Sequence, residues 1–81
     1  MADWRTLRDR IAANKRDTTF EDLRAMLEAA GFMMRSGNPG SHRAFVKPGC
    51  FNRPTIAQRR GPLPIGYVLA ALRAVDDCGD D

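Results

Sequence analysis

His42 is the only histidine among the 81 residues, and it sits in Gly40-Ser41-His42-Arg43-Ala44-Phe45. From Ala29 to Val75 there is no Asp or Glu, but there are seven cations: Arg35, Arg43, Lys47, Arg53, Arg59, Arg60 and Arg73. Imidazole as a side-chain type titrates at about 6.5, so it can take or give a proton at neutral pH. One proton-transfer group in a field of fixed positive charge suits a reaction on a polyanion, and RNA is the obvious one. Metal-free RNA cleavage needs a base for the 2′-OH or an acid for the leaving oxygen. It also needs positive charge or N–H donors for the phosphoryl oxygens. His42 can fill either proton role, and the residues leave both open. Arg43, Lys47, Arg59 and Arg60 are candidates to hold phosphates. So are the backbone amides of the loop around Gly37 and Gly40, where glycine lets the chain approach a phosphate closely. Ser41 can hydrogen-bond the phosphate or position His42. No acid lies near His42 in sequence, and no Ser-His-Asp set is legible.

Each of these residues has a plainer role beside the chemical one. A lone histidine in a small protein is commonly an exposed or hydrogen-bonded structural residue. Arg59-Arg60 reads equally as a solvated loop pair, and Asn38-Pro39-Gly40 as a turn. Trp4 and Tyr67 read as helix packing residues, and Met26, Met33 and Met34 as adaptable core filler. Phe51, beside Arg53, either caps the core or stacks a base; the core role fits the pattern better.

The net charge of +3 hides a segregation. Residues 1–28 balance six cations against six acids, the central tract has cations only, and residues 76–81 add four acids. Such a field favours phosphate backbones or an acidic protein. The 28% charged and 43% hydrophobic fractions fit an ordinary globular chain. A single domain spanning 1–81 buries only about 60–65% of its unfolded surface. That leaves no room for a deep cavity, so a large substrate lying across an open face is expected. The charged N-terminus does not read as a secretory signal, and no apolar run approaches the ~20 residues that span a bilayer. Cys50 and Cys78 form no CxxC and have no second ligand nearby in sequence. Neither a disulfide framework nor a zinc site is expected. The expectation is a cytoplasmic, reduced protein without membrane, metal or small-molecule cofactor.

The elements that position these residues follow from periodicity. Trp4, Leu7 and Ile11 mark a short amphipathic helix that ends near Asn14. Thr18 with Glu21, and Thr19 with Asp22, are alternative capping pairs for a second helix. Its stripe is Leu23, Met26, Leu27 and Ala30, and Gly31 stops it. Phe32–Arg35 predicts a strand, Ser36–Gly40 a turn, Ser41–Lys47 a second strand and Pro54–Ala57 a third. In the second strand His42, Ala44 and Val46 share one face, and Ser41, Arg43, Phe45 and Lys47 the other. Ile65, Val68, Leu69 and Leu72 mark a last helix to about Asp76, with Pro64 near its N1 position. Residues 77–81 read as a disordered tail. The result is an α+β fold in α-α-β-β-β-α order: a three-stranded antiparallel sheet with helices packed on one face.

Taken together, the chain resembles the HicA family of bacterial type II toxin–antitoxin mRNA interferases, over about Thr18 to Asp77. The likeness lies in Leu27-Glu28-Ala29-Ala30-Gly31-Phe32, then Gly40-Ser41-His42 with Phe45 three residues on. It continues through Lys47-Pro48-Gly49, Thr55-Ile56-Ala57 and the closing helix Ile65-Gly66-Tyr67-Val68-Leu69-Ala70-Ala71-Leu72. A short extra N-terminal helix, here 1–16, is similar to one subgroup. The resemblance implies a fold like a double-stranded RNA-binding domain, metal-independent endoribonuclease activity at one catalytic histidine, and inhibition by a HicB-like antitoxin. That histidine maps onto His42. Two positions depart from the family pattern. Many members have a second histidine where Arg43 stands, and a Pro-x-His segment where Ala57-Gln58-Arg59-Arg60 stands. Two other readings fit the same charge pattern: a non-catalytic RNA-binding module of this fold, and a basic domain that binds an acidic protein.

Overall fold

The computed structural model describes residues 3–35 and 40–80. Met1, Ala2, Asp81 and positions 36–39, expected above to form a turn, lie outside the described residues. The element order is α1 (Trp4–Ala13), a 3-10 turn (Lys15–Asp17), α2 (Phe20–Ala29), β1 (Met33–Met34), β2 (His42–Val46), β3 (Thr55–Ala57) and α3 (Ile65–Cys78). This is the expected α+β class and order, with strands slightly shorter than the apolar runs suggested.

Local chemistry fixes the helix ends. The Asp3 carboxylate accepts from Arg5 N at the start of α1. Of the two capping pairs, Thr19 with Asp22 is used. Thr19 Oγ1 accepts from Asp22 N, and Asp22 Oδ2 accepts from Thr19 N, so two orphan donors are satisfied reciprocally. Thr18 is buried instead, with its hydroxyl donating to Asn14 O and its carbonyl accepting from Leu63 N. Gly31, at φ 102°, ends α2. Phe32 N donates to Leu27 O and Gly31 N to Glu28 O, which is the two-bond glycine stop. Pro64 takes the N-cap of α3 rather than N1.

The sheet order is β1-β2-β3, with both pairings antiparallel. Met34 faces Phe45, Arg43 faces Ile56 and Ala44 faces Thr55. Phe45 and Ile56 are fully buried with Leu23, Met26, Leu27, Val68 and Val75 of the helices. The Phe20 ring tilts against Phe45 at 6.2 Å between centroids. The opposite side of the sheet carries Met33, Ala44 and Thr55. Met33, expected in the core, is 67% exposed there. A two-residue strand has one position on each face, and Met34 takes the helix side.

Two expectations about the C-terminal region are corrected. The helix runs on to Cys78, and Gly79 and Asp80 are tied down by hydrogen bonds rather than loose. Trp4 Nε1 donates to the Asp80 carbonyl at 2.6 Å, and Asp80 N donates to Ala30 O at 3.1 Å. Cys50 and Cys78, expected as free thiols, form a disulfide across 28 residues. The spacing carries no motif; the pairing arises because the turn after β2 packs on the end of α3. Lys47 closes the same junction. Its ammonium donates to the carbonyls of Ala30 and Cys78, which end α2 and α3, and to Asp80 Oδ1. A cation is well placed where two helix C-termini converge.

Arg8 ties α1 to α3 with two hydrogen bonds to Asp76, at 2.8 and 3.0 Å. The Arg8 guanidinium, chiefly through its hydrogen bonds, holds the Asp76 carboxyl below its ordinary range against the opposing effect of burial, and Asp76 raises Arg8 in return. Among the described residues, no helix is long and apolar enough to cross a membrane.

Candidate functional site

The candidate site is built at the open end of the β2–β3 hairpin. His42 is the first residue of β2 and pairs with Ala57, the last residue of β3. The ladder extends one step further, with Gln58 N donating to Ser41 O at 2.6 Å. Gly40 stands before it at φ 74°, a left-handed turn position that suits glycine. Gly40, Ser41 and His42 are all exposed. The hairpin thus presents the imidazole at its rim while Phe45, three residues on, anchors the strand in the core.

The His42 ring has one hydrogen-bond partner among the described residues: the Tyr67 hydroxyl, 3.4 Å from Nε2. The two rings lie 6.4 Å apart, tilted by 52°. No carboxylate bonds to the imidazole among the described residues. Tyr67 comes from the first turns of α3, beside the buried Val68. The sequence reading placed it as a packing residue, and its role at His42 was missed. Nothing in a 25-residue separation signals the contact. The one clue is chemical: a tyrosine beside an apolar stripe carries a hydroxyl that usually finds a polar partner.

The arginines divide. Arg43 folds back on its own loop, its Nη1 donating to Gly40 O at 2.8 Å and His42 O at 3.1 Å. It therefore stiffens the turn that carries His42. Its Nε and Nη2 groups make no hydrogen bond among the described residues and can face an anion. Arg59 and Arg60 are exposed in the loop after β3. With Thr19, Phe20, Glu21, Gln58 and Gly61 they line an open hollow of about 510 Å³. Gln58, bonded to Ser41, links that hollow to the histidine.

Lys47 does not join this group. It sits just beyond the far end of β2 with its side chain 15% exposed, committed to Ala30, Cys78 and Asp80. The expectation that it contacts RNA is replaced by a structural role. Phe51 departs in the opposite sense: expected to cap the core, it is fully exposed. Among the described residues, no group of three or more His, Cys, Asp or Glu converges as a metal site would require.

Compared with family models, with curated proteins and with solved structures, the chain matches none of them.

Proposed function

We propose that this protein is a HicA-like endoribonuclease, the toxin of a type II toxin–antitoxin pair, acting on mRNA in the cytoplasm and held silent by a HicB-like antitoxin. The observation that carries this reading is the setting of His42. An exposed imidazole stands at a hairpin rim, steadied by a tyrosine hydroxyl, beside a glycine turn and within an acid-free basic tract. In this reading His42 transfers the proton, from the 2′-OH or to the leaving oxygen. Tyr67 orients the ring. Arg43, the amides at Gly40 and Ser41, and the cations Arg59 and Arg60 take the phosphates. The α+β architecture, with helices on one side of a three-stranded sheet, supports the finer proposal of a fold like a double-stranded RNA-binding domain. In that case α1 is an addition to it. The chemistry asks for no metal or small cofactor.

One observation favours a second reading. Among the described residues His42 has no second proton-transfer group bonded to it except Tyr67, and Arg43 stands where many HicA proteins have another histidine. A non-catalytic RNA-binding module would need none. Induced expression of wild type and His42→Ala, with total RNA followed alongside growth, separates the two. Growth arrest and RNA loss with wild type alone are expected. A His42→Ala protein that is fully toxic at equal expression overturns the mechanism. Folded wild-type protein that binds RNA and leaves it intact establishes the binding module.

A further inference from the structure

On the open side of the sheet, away from His42, lies a shallow groove of about 400 Å³. Met33, Arg35, Val46, Phe51 and Arg53 are among its lining residues, and among the described residues no carboxylate is. Phe51 is 102% exposed and Met33 67% exposed. A bare phenyl ring on so small a protein asks for a reason, and its neighbours supply one. Cys50, immediately before it, is bound covalently to Cys78. Asn52, immediately after it, donates from Nδ2 to Asp77 Oδ2 at 3.3 Å. Cys50 is also buried, with its N–H donating to Lys47 O at 3.0 Å, so both flanking residues turn inward and the ring between them is held outward. That is a preorganised aromatic surface, which loses little freedom when something stacks on it.

We propose that Phe51 is a stacking platform for an unpaired RNA base, with Arg35 and Arg53 holding the phosphates on either side. The inference rests on the ribonuclease reading and adds a second contact to it. The chemistry favours RNA over a protein occupant. The groove is shallow, which suits a flat base on a flat ring rather than a side chain needing a pocket. Its two arginines meet no acid in the groove, and Lys47, the third cation there, is already paired with Asp80. A base on an aromatic face flanked by guanidinium groups is how single strands are commonly held. The groove also shares a strand with the reacting group. Val46 lies four residues along β2 from His42, about 13 Å by strand rise, a distance that a few nucleotides span.

The test uses the whole protein carrying His42→Ala, so that RNA survives, and a fluorescein-labelled single-stranded RNA dodecamer. Adding Phe51→Ala should weaken binding about ten-fold, the loss of one stacked base. Phe51→Trp should restore it and show tryptophan quenching on binding, whereas Phe51→Leu should not restore it. Arg35→Gln and Arg53→Gln should each lower the salt slope by about one. Equal affinity for the parent, Phe51→Ala and Phe51→Leu proteins overturns the proposal. A parent that ignores RNA and instead takes an acidic protein also overturns it. Cleavage by the protein with His42 restored is measured separately. Phe51-dependent binding without cleavage would sink the ribonuclease reading and leave the stacking surface standing.

Discussion

The two ends of β2 are built for opposite purposes. At the His42 end, a glycine turn carries an exposed imidazole that meets one tyrosine hydroxyl, beside an Arg43 guanidinium that is only half committed. At the Lys47 end, a disulfide, an ammonium shared by two helix termini and the Asp80 carboxylate bind the same strand to α2 and α3. Both ends are basic in sequence. The difference between them is whether the positive charge has already found its partner. A cation that satisfies two helix-end carbonyls is structural; an imidazole or guanidinium left facing water remains able to meet a ligand. The braced end gives the strand a fixed base from which the open end presents its side chains.

The largest expected effect breaks this comparison at the open end. His42→Ala should lower RNA cleavage by about 10²–10⁴-fold, the contribution of one general acid or base. Because the side chain is exposed, stability should move by no more than about 0.5 kcal/mol. Cleavage assays beside thermal melts check both halves. A variant that loses activity by unfolding would place His42 with the structural residues.

Next comes the brace. Replacing Cys50 and Cys78 together by Ser opens a cross-link spanning 28 residues, which should cost about 3–4 kcal/mol. For a domain of this size that lowers Tm by on the order of 15 °C. Melting wild type with and without dithiothreitol should reproduce the shift, and the reductant should leave the Ser variant unmoved. The result bears on compartment too, since cytosolic thiols are kept reduced. A protein working there would operate near the lower of the two stabilities. Identical melting curves in the two conditions would mean that packing alone holds this junction.

Lys47→Met sharpens the contrast, because Lys47 and Arg43 look interchangeable in sequence. Methionine keeps the stem and removes the ammonium. The Cys78 carbonyl loses its lysine donor while that of Ala30 keeps the Asp80 N–H, at a cost of about 1–3 kcal/mol. Cleavage measured well below Tm should be unchanged. Arg43→Met should do the reverse, weakening cleavage more than it lowers Tm. A salt-dependent loss of RNA affinity in Lys47→Met protein would return that lysine to the binding surface.

How much of this was legible depends on the reach of each feature. Local chemistry wrote itself plainly. Thr19 with Asp22, Gly31 after Ala30, and the Leu23-Met26-Leu27-Ala30 stripe each act within a turn or two of helix, and all are realised. The order of elements followed from those stops. The left-handed Gly40 before His42 was legible for the same reason, since the two are near neighbours. What failed was long-range. Lys47 meets Cys78 and Asp80 more than thirty residues away, Cys50 meets Cys78 at 28, and Tyr67 meets His42 at 25. Periodicity says which face a residue occupies, not which distant residue shares that space. Phe51 was misread for a related reason. Aromaticity favours burial in general, but here the ties made by Cys50 and Asn52 settle which way the chain turns.

The smallest effect asks whether the braced end relies on charge at the surface as well. Arg8 and Asp76 join α1 to α3 next to the disulfide, but both side chains are substantially solvated, at 35% and 44% exposure. Asp76→Asn should therefore cost only about 0.5 kcal/mol, and less in high salt. Arg8 lowers the folded-state pKa of Asp76, so the stabilisation is present above the unfolded carboxylate value of about 3.9. It is lost as pH falls through the lower folded value, where wild type protonates and comes to resemble the variant. Urea unfolding of wild type and Asp76→Asn should differ slightly at neutral pH and converge in acid. A gap that persists in acid would show that Asp76 acts by packing rather than by charge, and that the brace at this end is the disulfide and Lys47 alone.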